Sequence, residues 1–386
     1  MTRVFVSGAI ANKPGNGGGA WTRMSYVIGF RRLGFETYFV EQIGPGLCTD
    51  QWGSITSFSD SINRRHFREV VNSFGVAGAA ALVGPSERME GMSYADLLEA
   101  ADGADLLVNI SGHLSVPRLR RAFRRAVYID LDPGFTQIWH AQGNQGPRLA
   151  GHDAYFTVGT NVGTAACAIP IDGIQWIPTL PPVVLEDWPV HDTPEPHRFT
   201  TIAAWRGPFG PVTHDGRTYG LKVHEFRKVA ALPQRTGREF ELALSIHPAD
   251  ERDRRMLLEH GWRVVDPEQV VPGPAEFRSY VHGSWAEFSV AQGIYVDSRS
   301  GWFSDRTVRY LASGKPVLVQ DTGFGRTLPI GEGLLAFRTL DQAVANAEEI
   351  ASDYERHAKA ARAIAEEYFD SDRVLSQMLE RMGVSP

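Results

Sequence analysis

The sequence predicts an α/β protein made of two Rossmann-like domains that face each other across a cleft. Its 386 residues, 43% of them hydrophobic and 22% charged, suffice for two cores of ordinary size. Short apolar segments alternate with helical patterns on both sides of a proline-rich stretch at residues 178–196, and such alternation is typical of parallel sheets covered by helices. The chain also opens in the order strand, glycine-rich loop, helix and strand, which is the order of a Rossmann-type half.

The opening unit is predicted to begin with a strand over residues 3–8. A loop over residues 9–20 follows, with the sequence AIANKPGNGGGA. Gly17 and Gly18 belong to its run of three glycines, which lets another group approach the backbone closely. A helix with an apolar face comes next, and residues 37–41 form a second strand.

The rest of the first half continues the alternation. Helices are predicted over residues 62–74, 93–101 and 117–123, and strands over residues 79–83, 104–110, 126–130, 152–159 and 175–178. Six prolines interspersed with acidic residues then mark a linker. We therefore divide the chain into a first domain of residues 1–187, a linker of residues 188–198 and a second domain of residues 199–386, whose last helix is in a position to return to the first domain.

The second half repeats the pattern. Helices are predicted over residues 223–231, 250–260, 276–281, 304–313, 340–369 and 371–382, and strands over residues 199–205, 240–245, 262–265, 287–291 and 317–319. We expect residues 301–325 to form a ligand site. Ser304 is a good helix N-cap, and Asp321, Thr322 and Gly323 form a loop after a buried strand, at the edge where open α/β sheets bind ligands.

Composition and charge exclude several classes of function. A net charge of -6 argues against nucleic acid or an anionic membrane as the main partner. Cys48 and Cys167 are far apart and have no metal-ligand spacing, so they predict free thiols in a reducing compartment. No apolar run has the length of a membrane span. These features predict a cytoplasmic protein; the oligomeric state stays open.

Residues 311–323 carry the most specific motif, LASGKPVLVQDTG. Together with the glycine-rich loop and the proline-rich hinge, it resembles the GT-B nucleotide-sugar glycosyltransferases, in particular those with the C-terminal-domain pattern E-A-x-A-x-G-x-P-V-V. Ala312, Gly314, Pro316 and Val317 fit that pattern. The resemblance implies the GT-B fold, a nucleoside diphosphate sugar as donor and co-substrate, a small-molecule acceptor with a hydroxyl or amine, and no further cofactor.

The chain departs from that family at one important place. Retaining enzymes of this type carry two glutamates eight residues apart, and the motif register places those positions at Gly301 and Arg309. The glutamate that holds the donor ribose is therefore missing, and the stereochemical outcome cannot be carried over. Asp305 and Arg309 are spaced as an ordinary helical ion pair.

The resemblance also implies how the donor diphosphate is held. In the family, an arginine and a lysine contact the phosphates, and Arg206 and Lys222 occupy those places. The helix start at residues 304–307 offers free backbone N–H groups and a positive dipole end. The predicted donor-binding residues are Gly17, Gly18, Arg206, Lys222, Ser304, Asp305, Arg306, Thr307, Asp321, Thr322 and Gly323. We expect Arg206→Ala to weaken binding of uridine diphosphate or another nucleoside diphosphate.

The predicted catalytic residues follow two strands of the first domain. His113 comes after one strand, and Asp130 and Asp132 end another, so any of the three is a candidate base for the acceptor hydroxyl. His140 and His152 are alternatives nearby. The two aspartates resemble the D-x-D metal motif of the other glycosyltransferase fold, but the two-domain layout is the metal-independent one, and we predict no metal site.

Three other functions remain open. A sugar-nucleotide epimerase uses the same two-domain architecture. A non-catalytic nucleotide-sugar binding protein is suggested by the missing glutamates. A dinucleotide oxidoreductase is the weakest alternative, because neither half contains G-x-G-x-x-G.

Overall fold

Two sheets, each covered by helices, form the protein. The computed structural model describes residues 2–191 and 196–385, so linker residues 192–195 lie outside the described residues. The first sheet contains β1 Arg3–Ser7, β2 Glu36–Gln42, β3 Ala80–Val83, β4 Met89–Gly91, β5 Leu106–Ile110, β6 Ala126–Asp130, β7 Ala154–Thr157 and β8 Trp176–Pro178. Its helices are α1 Gly17–Arg32, α2 Ile62–Ser73, α3 Tyr94–Ala101, α4 Pro117–Arg120 and α5 Phe135–Ala141.

The first sheet has the strand order β4-β3-β2-β1-β5-β6-β7-β8 and is parallel except for β4. In the register, Phe5 of β1 lies opposite Tyr38 of β2 and Leu107 of β5. Strands β1, β5 and β6 are nearly continuous apolar runs because both of their faces are covered. Their carboxyl ends all point to the same edge of the sheet.

The second half contains β9 Arg198–Ala204, β10 Val212–His214, β11 Arg217–Tyr219, β12 Glu239–Ser245, β13 Arg263–Val265, β14 Ala286–Ser289, β15 Val317–Gln320 and β16 Leu334–Phe337. Its helices are α6 Lys222–Arg227, α7 Leu232–Thr236, α8 Glu251–Glu259, α9 Pro267–Val270, α10 Pro274–His282, α11 Gly293–Ser298, α12 Asp305–Ala312, α13 Leu340–Ser352, α14 Tyr354–Ile364 and α15 Ser371–Met382. Six strands form a wholly parallel sheet in the order β13-β12-β9-β14-β15-β16, and β10 and β11 form a separate hairpin. This architecture confirms the predicted fold class.

Helix α15 leaves the second sheet and packs on the first domain. Leu375 and Met378 lie in the same core as Val6 and Phe30. At the crossover, Val183 donates its N–H to the carbonyl of Phe369 at 2.8 Å and its own carbonyl accepts from Ser371 at 2.8 Å. The two halves are therefore joined by packing as well as by the linker.

Some elements differ from the sequence prediction. The three glycines lie in the first turn of α1 and not in a loop, because Asn16 caps the helix by accepting the N–H of Gly19 at 2.7 Å. The predicted helix over residues 340–369 is broken at Asp353, where α14 begins with its own cap. The predicted helix over residues 223–231 ends early, as α6 at Arg227, and a separate short helix, α7, begins at Leu232.

Candidate active site between the domains

Two neighbouring cavities lie at the carboxyl ends of the strands. The larger, which we call the interdomain cleft, has a volume of about 780 Å³. It is lined by Lys13, Pro14, Gly15, Asn16, Gly17, Gly18, Asp50, Gln51, Gly53 and Ile62 of the first domain, and by Ile202, Ala203, Ala204, Ser245, Pro267, Glu268, Val271, Pro272 and Phe277 of the second. Both domains thus contribute the sheet edge at which α/β proteins bind ligands.

The second cavity, the N-domain cavity, measures about 540 Å³. It is lined by Asn12, Lys13, Arg23, Gln42, Gly44, Leu47, Ser111, His113, Tyr128, Asp132, Thr136, Trp139, Gly146, Pro147, Arg148 and Phe209. Phe209 comes from the second domain, and its ring packs edge-on against Trp139 with centroids 4.9 Å apart. Lys13 lines both cavities and marks their junction.

Glu41, at the end of β2, holds the loop that carries Lys13. Its carboxylate accepts the N–H groups of Ile10, Ala11 and Asn12 at 2.8, 2.7 and 2.9 Å. Burial raises the pKa of Glu41 to about 7, and these three N–H donors oppose the rise. The carboxylate therefore fixes the loop, and with it the position of Lys13.

Gly17 and Gly18 line the cleft at the start of α1. A Cβ on Gly17 would lie 2.3 Å from the carbonyl oxygen of Gly273, and one on Gly18 would lie 2.8 Å from the ring of Phe277. Glycine is thus required because the second domain approaches this turn closely. The N–H of Gly19 is taken by Asn16, whereas the N–H groups of Gly17 and Gly18 have no acceptor within the helix and are available to an anion in the cleft.

Asp132 lies at the wall of the N-domain cavity, next to Lys13 and Arg23. The hydroxyl of Tyr295, from the second domain, donates to its Oδ1 at 3.1 Å. Burial and the neighbouring Asp130 raise the pKa of Asp132 to about 6, against the attraction of Lys13. A carboxylate with this pKa is ionised at neutral pH and is a stronger base than an ordinary aspartate.

Asp130 is buried, and its oxygens are already occupied. Thr136 and Gln137 donate to it at 2.7 Å each, Thr157 donates at 2.7 Å and the N–H of Asp132 donates at 3.1 Å. It lines neither cavity. The geometry therefore does not support the predicted catalytic role for Asp130; its carboxylate positions the loop that carries Asp132.

We expect Asp130→Asn to lower the free energy of unfolding by about 2 kcal/mol, because the new amide group would face hydrogen-bond donors and leave buried groups unpaired. Urea denaturation measures the change. Asp172→Asn, at a position with a half-exposed carboxylate, is the matched control and should change stability by less than about 0.5 kcal/mol. Equal stability of Asp130→Asn and the wild type would contradict a positioning role.

His113 lines the N-domain cavity, as its place after β5 predicted. Burial and the positive charges of Arg23, Lys13 and Arg148 lower its pKa to about 3. The imidazole is neutral at physiological pH, but its low pKa makes it a much weaker base than Asp132. His113 is better suited to hydrogen bonding a substrate hydroxyl than to removing its proton.

The two alternative histidines lie elsewhere. His140 faces Asp172 at 3.6 Å, and His152 lies between the Asn109 side chain at 3.1 Å and the Leu149 carbonyl at 2.9 Å. Within residues 2–191 and 196–385, no three His, Cys, Asp or Glu side chains are grouped as a metal site requires. That the reaction needs no metal remains a prediction.

The two arginines predicted to hold phosphate are engaged in ion pairs. Arg206 is 60% exposed, its Nε donates to Asp250 at 2.8 Å, and it is not among the residues that line the cleft. Arg306 donates to Glu287 at 2.7 Å, to Ser289 at 2.6 Å and to the carbonyl of Ile202 at 2.7 Å. Because Glu287 is a fully buried carboxylate, it requires this partner. These ion pairs argue against both arginines as phosphate ligands.

Lys222 begins α6, and its N–H donates to the side chain of Gln292 at 2.8 Å. Burial and the neighbouring Arg306 lower its pKa to about 7, although Glu287 attracts the ammonium group. Lys222 does not line the cleft. It lies near the Arg306–Glu287 pair, and the charge of its side chain depends on pH near neutrality.

The predicted anion site at the start of α12 is covered. Ser304 and Thr307 are 5% and 1% exposed, and only about 10 Å³ of free space adjoins them. Asp305 accepts a hydrogen bond from Thr22 of α1 and pairs with Arg309 at 3.7 Å. The helix start therefore contacts the first domain, and the small space beside Ser304 and Thr307 does not hold a diphosphate.

The loop of Asp321, Thr322 and Gly323 also joins the domains. Asp321 accepts from Arg338 at 2.6 Å and from the N–H of Gly323 at 2.7 Å, and Thr322 donates to the carbonyl of Trp302. The side chain of Asn161, from the first domain, donates to the carbonyl of Gly323 at 3.1 Å. None of the three loop residues lines either cavity. The structure therefore does not place them in contact with a nucleotide-sugar donor.

The positions of the two missing glutamates are filled by structural residues. Gly301 has φ of 76°, and a Cβ there would lie 2.4 Å from the hydroxyl oxygen of Thr160. Arg309 is 1% exposed and lies over the ring of Trp188 at 5.8 Å. Burial lowers the pKa of Arg309 to about 10, against the attraction of Asp305. Gly301 therefore permits a close contact with the first domain, and Arg309 packs on Trp188 of the linker.

Sequence reasoning missed four residues of the site: Lys13, Arg23, Arg148 and Tyr295. Lys13 was visible beside the glycines, as a cation in the loop after the first strand. The other three gave no signal, because a helix, a turn and the second domain bring them together only in the fold.

The solved structures that resemble this protein match it over nearly its whole length. No protein-family model matches the sequence, and no curated protein matches it. HepE of Anabaena, in a structure with UDP-glucose, is 12% identical with a TM-score of 0.60, covering 99% of this chain and 100% of HepE. The chain has the GT-B fold. Sucrose-phosphate synthase of Thermosynechococcus elongatus agrees with a TM-score of 0.55 at 11% identity, covering 99% of this chain and 98% of that one.

A glycosyltransferase of Rickettsia africae is similar in the same way, with a TM-score of 0.52 at 11% identity over 99% of this chain and 97% of that one. Because the sequence identities are this low, the structural similarity shows the common GT-B fold alone and does not assign a role to any residue of this chain.

In the described part of the chain, no helix combines the length and apolarity needed to cross a membrane.

Proposed function

We propose that the protein is a glycosyltransferase that moves a sugar from a nucleoside diphosphate sugar to a hydroxyl or amine of a small acceptor. The observation that carries the proposal is the junction of the two cavities, where Lys13 lines both and the Asp132 carboxylate lies beside it. A reaction that joins two substrates needs two adjoining sites, a base on the acceptor side and a cation at the leaving group.

The interdomain cleft suits the donor nucleotide. Its volume of about 780 Å³ is in the range of small-molecule sites. Lys13 and the free N–H groups at the start of α1 would meet the diphosphate. Glu268, the carboxylate that the second domain contributes to the cleft, is placed to accept hydrogen bonds from the ribose hydroxyls in the absence of the family glutamate. UDP is the first nucleotide to test, since HepE was solved with UDP-glucose.

The transfer itself follows from these positions. The acceptor hydroxyl in the N-domain cavity gives its proton to Asp132 as its oxygen bonds to the anomeric carbon. The bond from that carbon to the diphosphate oxygen breaks, and the leaving diphosphate carries the electron pair. Lys13 and the α1 N–H groups stabilise its charge, while Tyr295 holds Asp132 in place.

Binding of the donor tests the proposal. We expect Lys13→Ala to weaken UDP binding about tenfold, because one charge-assisted contact to phosphate is lost. Calorimetric titration with UDP and the other nucleoside diphosphates measures the affinity. Lys359→Ala removes an exposed lysine of the second domain and should leave the affinity unchanged. No binding of any nucleoside diphosphate, or equal binding by Lys13→Ala, would contradict the placement.

A nucleotide-sugar binding protein without catalysis is the second candidate, because the family glutamates are absent. The raised pKa of Asp132 favours an enzyme, since such shifts are concentrated at catalytic groups. Turnover separates the two: the enzyme releases nucleoside diphosphate from a nucleotide sugar, whereas a binding protein leaves the donor intact. Isomerisation of the sugar without release would instead indicate an epimerase.

A further inference from the structure

The N-domain cavity carries more positive charge than its own residues balance. Lys13, Arg23 and Arg148 line it, and Asp132 is the one carboxylate among the described lining residues. This excess lies within a chain whose net charge is -6. A local cationic cavity in an acidic protein calls for an anionic occupant.

Arg23 is held in place but not neutralised. Its Nη1 donates to the carbonyl of Gly19 at 3.3 Å, and its Nε is buried without a hydrogen-bond partner. Asp305, Asp132 and Glu41 attract it, and none of them forms an ion pair with it. Gly8 provides the space for the side chain, because a Cβ there would lie 2.8 Å from the Arg23 Cγ. Arg23 lines the cavity, and the bond to Gly19 is the single hydrogen bond of its guanidinium among the described residues, so a donor on the cavity side can bind a ligand oxygen.

Arg148 approaches the same space from the rim. Its backbone has φ of 53°, a left-handed conformation that few side-chain-bearing residues adopt. Its Nη1 donates to the carbonyl of His113 at 3.4 Å, and it forms no ion pair with any residue in the described ranges. Gly112 packs so tightly here that a Cβ would lie 2.6 Å from the Pro147 carbonyl oxygen. The two loops that carry His113 and Arg148 are therefore fixed together.

We infer that the acceptor carries an anionic group, such as a phosphate or a carboxylate, which Arg23 and Arg148 bind while its reacting hydroxyl faces Asp132. This inference rests on the proposed function. The donor diphosphate does not account for the two arginines, because both line the N-domain cavity and neither lines the cleft. The adjoining rings of Trp139 and Phe209 provide an apolar wall for the carbon skeleton of the acceptor.

Inorganic phosphate is the probe that tests the inference. Calorimetric titration of phosphate into UDP-saturated protein, at constant ionic strength, separates the acceptor anion from the donor diphosphate. We expect phosphate to bind the wild type, and Arg23→Gln and Arg148→Gln each to weaken it about tenfold. Arg65→Gln removes an exposed arginine of α2, outside both cavities, and should bind phosphate as the wild type does.

Three results would overturn the inference: no phosphate binding to the UDP-saturated protein, displacement of phosphate by UDP, or equal binding by the arginine variants. Arg148 is exposed, so its variant reports on the site even where Arg23→Gln fails to fold. Failure of UDP to bind would contradict the proposed function alone, and phosphate titration without UDP would then still show whether the two arginines form an anion site.

Discussion

Asp132→Asn is expected to reduce the rate of sugar transfer by about 10²–10⁴-fold, the contribution typical of a general base. The asparagine keeps the size of the side chain and its contact with Tyr295, but it cannot take a proton. Release of nucleoside diphosphate from the nucleotide sugar measures the rate. UDP affinity should stay within a factor of two or so of the wild type, because Asp132 lies in the N-domain cavity and not in the cleft.

The pH dependence of the wild type gives an independent check of the same residue. Asp132 acts as a base only when ionised, so kcat/KM should rise with pH through about 6, its raised pKa, and level off above it. The slope should be absent in Asp132→Asn. If Asp132→Asn transferred sugar at the wild-type rate, or if the wild-type pH profile had its inflection near 4, another residue would have to be the base.

Gly301→Glu, which restores the first family glutamate, is expected to destabilise the protein by about 3 kcal/mol or more and to restore no function. Any side chain at this position meets Thr160 of the first domain and must adopt a positive φ. Urea or thermal denaturation measures the loss of stability.

Gly78→Glu is the matched control for this substitution, since a Cβ at Gly78 has nothing within 4 Å and should change stability by less than about 0.5 kcal/mol. A folded Gly301→Glu protein with wild-type stability and higher transfer activity would show that the interdomain contact at Thr160 opens and that the family glutamate position is functional.

The general architecture could be predicted from the sequence because local patterns determine it. Apolar runs such as those of β1 and β6 reflect burial on both faces, and the helix stop at Gly314, which has φ of 69°, is local chemistry. Ser304 precedes α12 as predicted, but its side chain makes no capping hydrogen bond. The place of Asp132 at the wall of the N-domain cavity could be predicted in the same way, since residues directly after a parallel strand reach the ligand edge of the sheet.

The errors in the site have one physical cause. Whether a polar side chain is free to bind a ligand depends on partners that are distant in sequence. Arg306 is occupied by Glu287, Arg206 by Asp250, and Asp305 by Thr22. Arg23 is the opposite case, because its Nε has no hydrogen-bond partner. The helical sequence pattern around Arg23 does not indicate this; the fold does.

A structure with UDP bound tests most directly whether the interdomain cleft is the donor site. We predict that the diphosphate lies between Lys13 and the N–H groups of Gly17 and Gly18, with the uracil and ribose toward Ser245 and Glu268, and with the terminal phosphate at the junction with the N-domain cavity. UDP bound at the start of α12 near Ser304, at Arg206, or anywhere outside the cleft would contradict it.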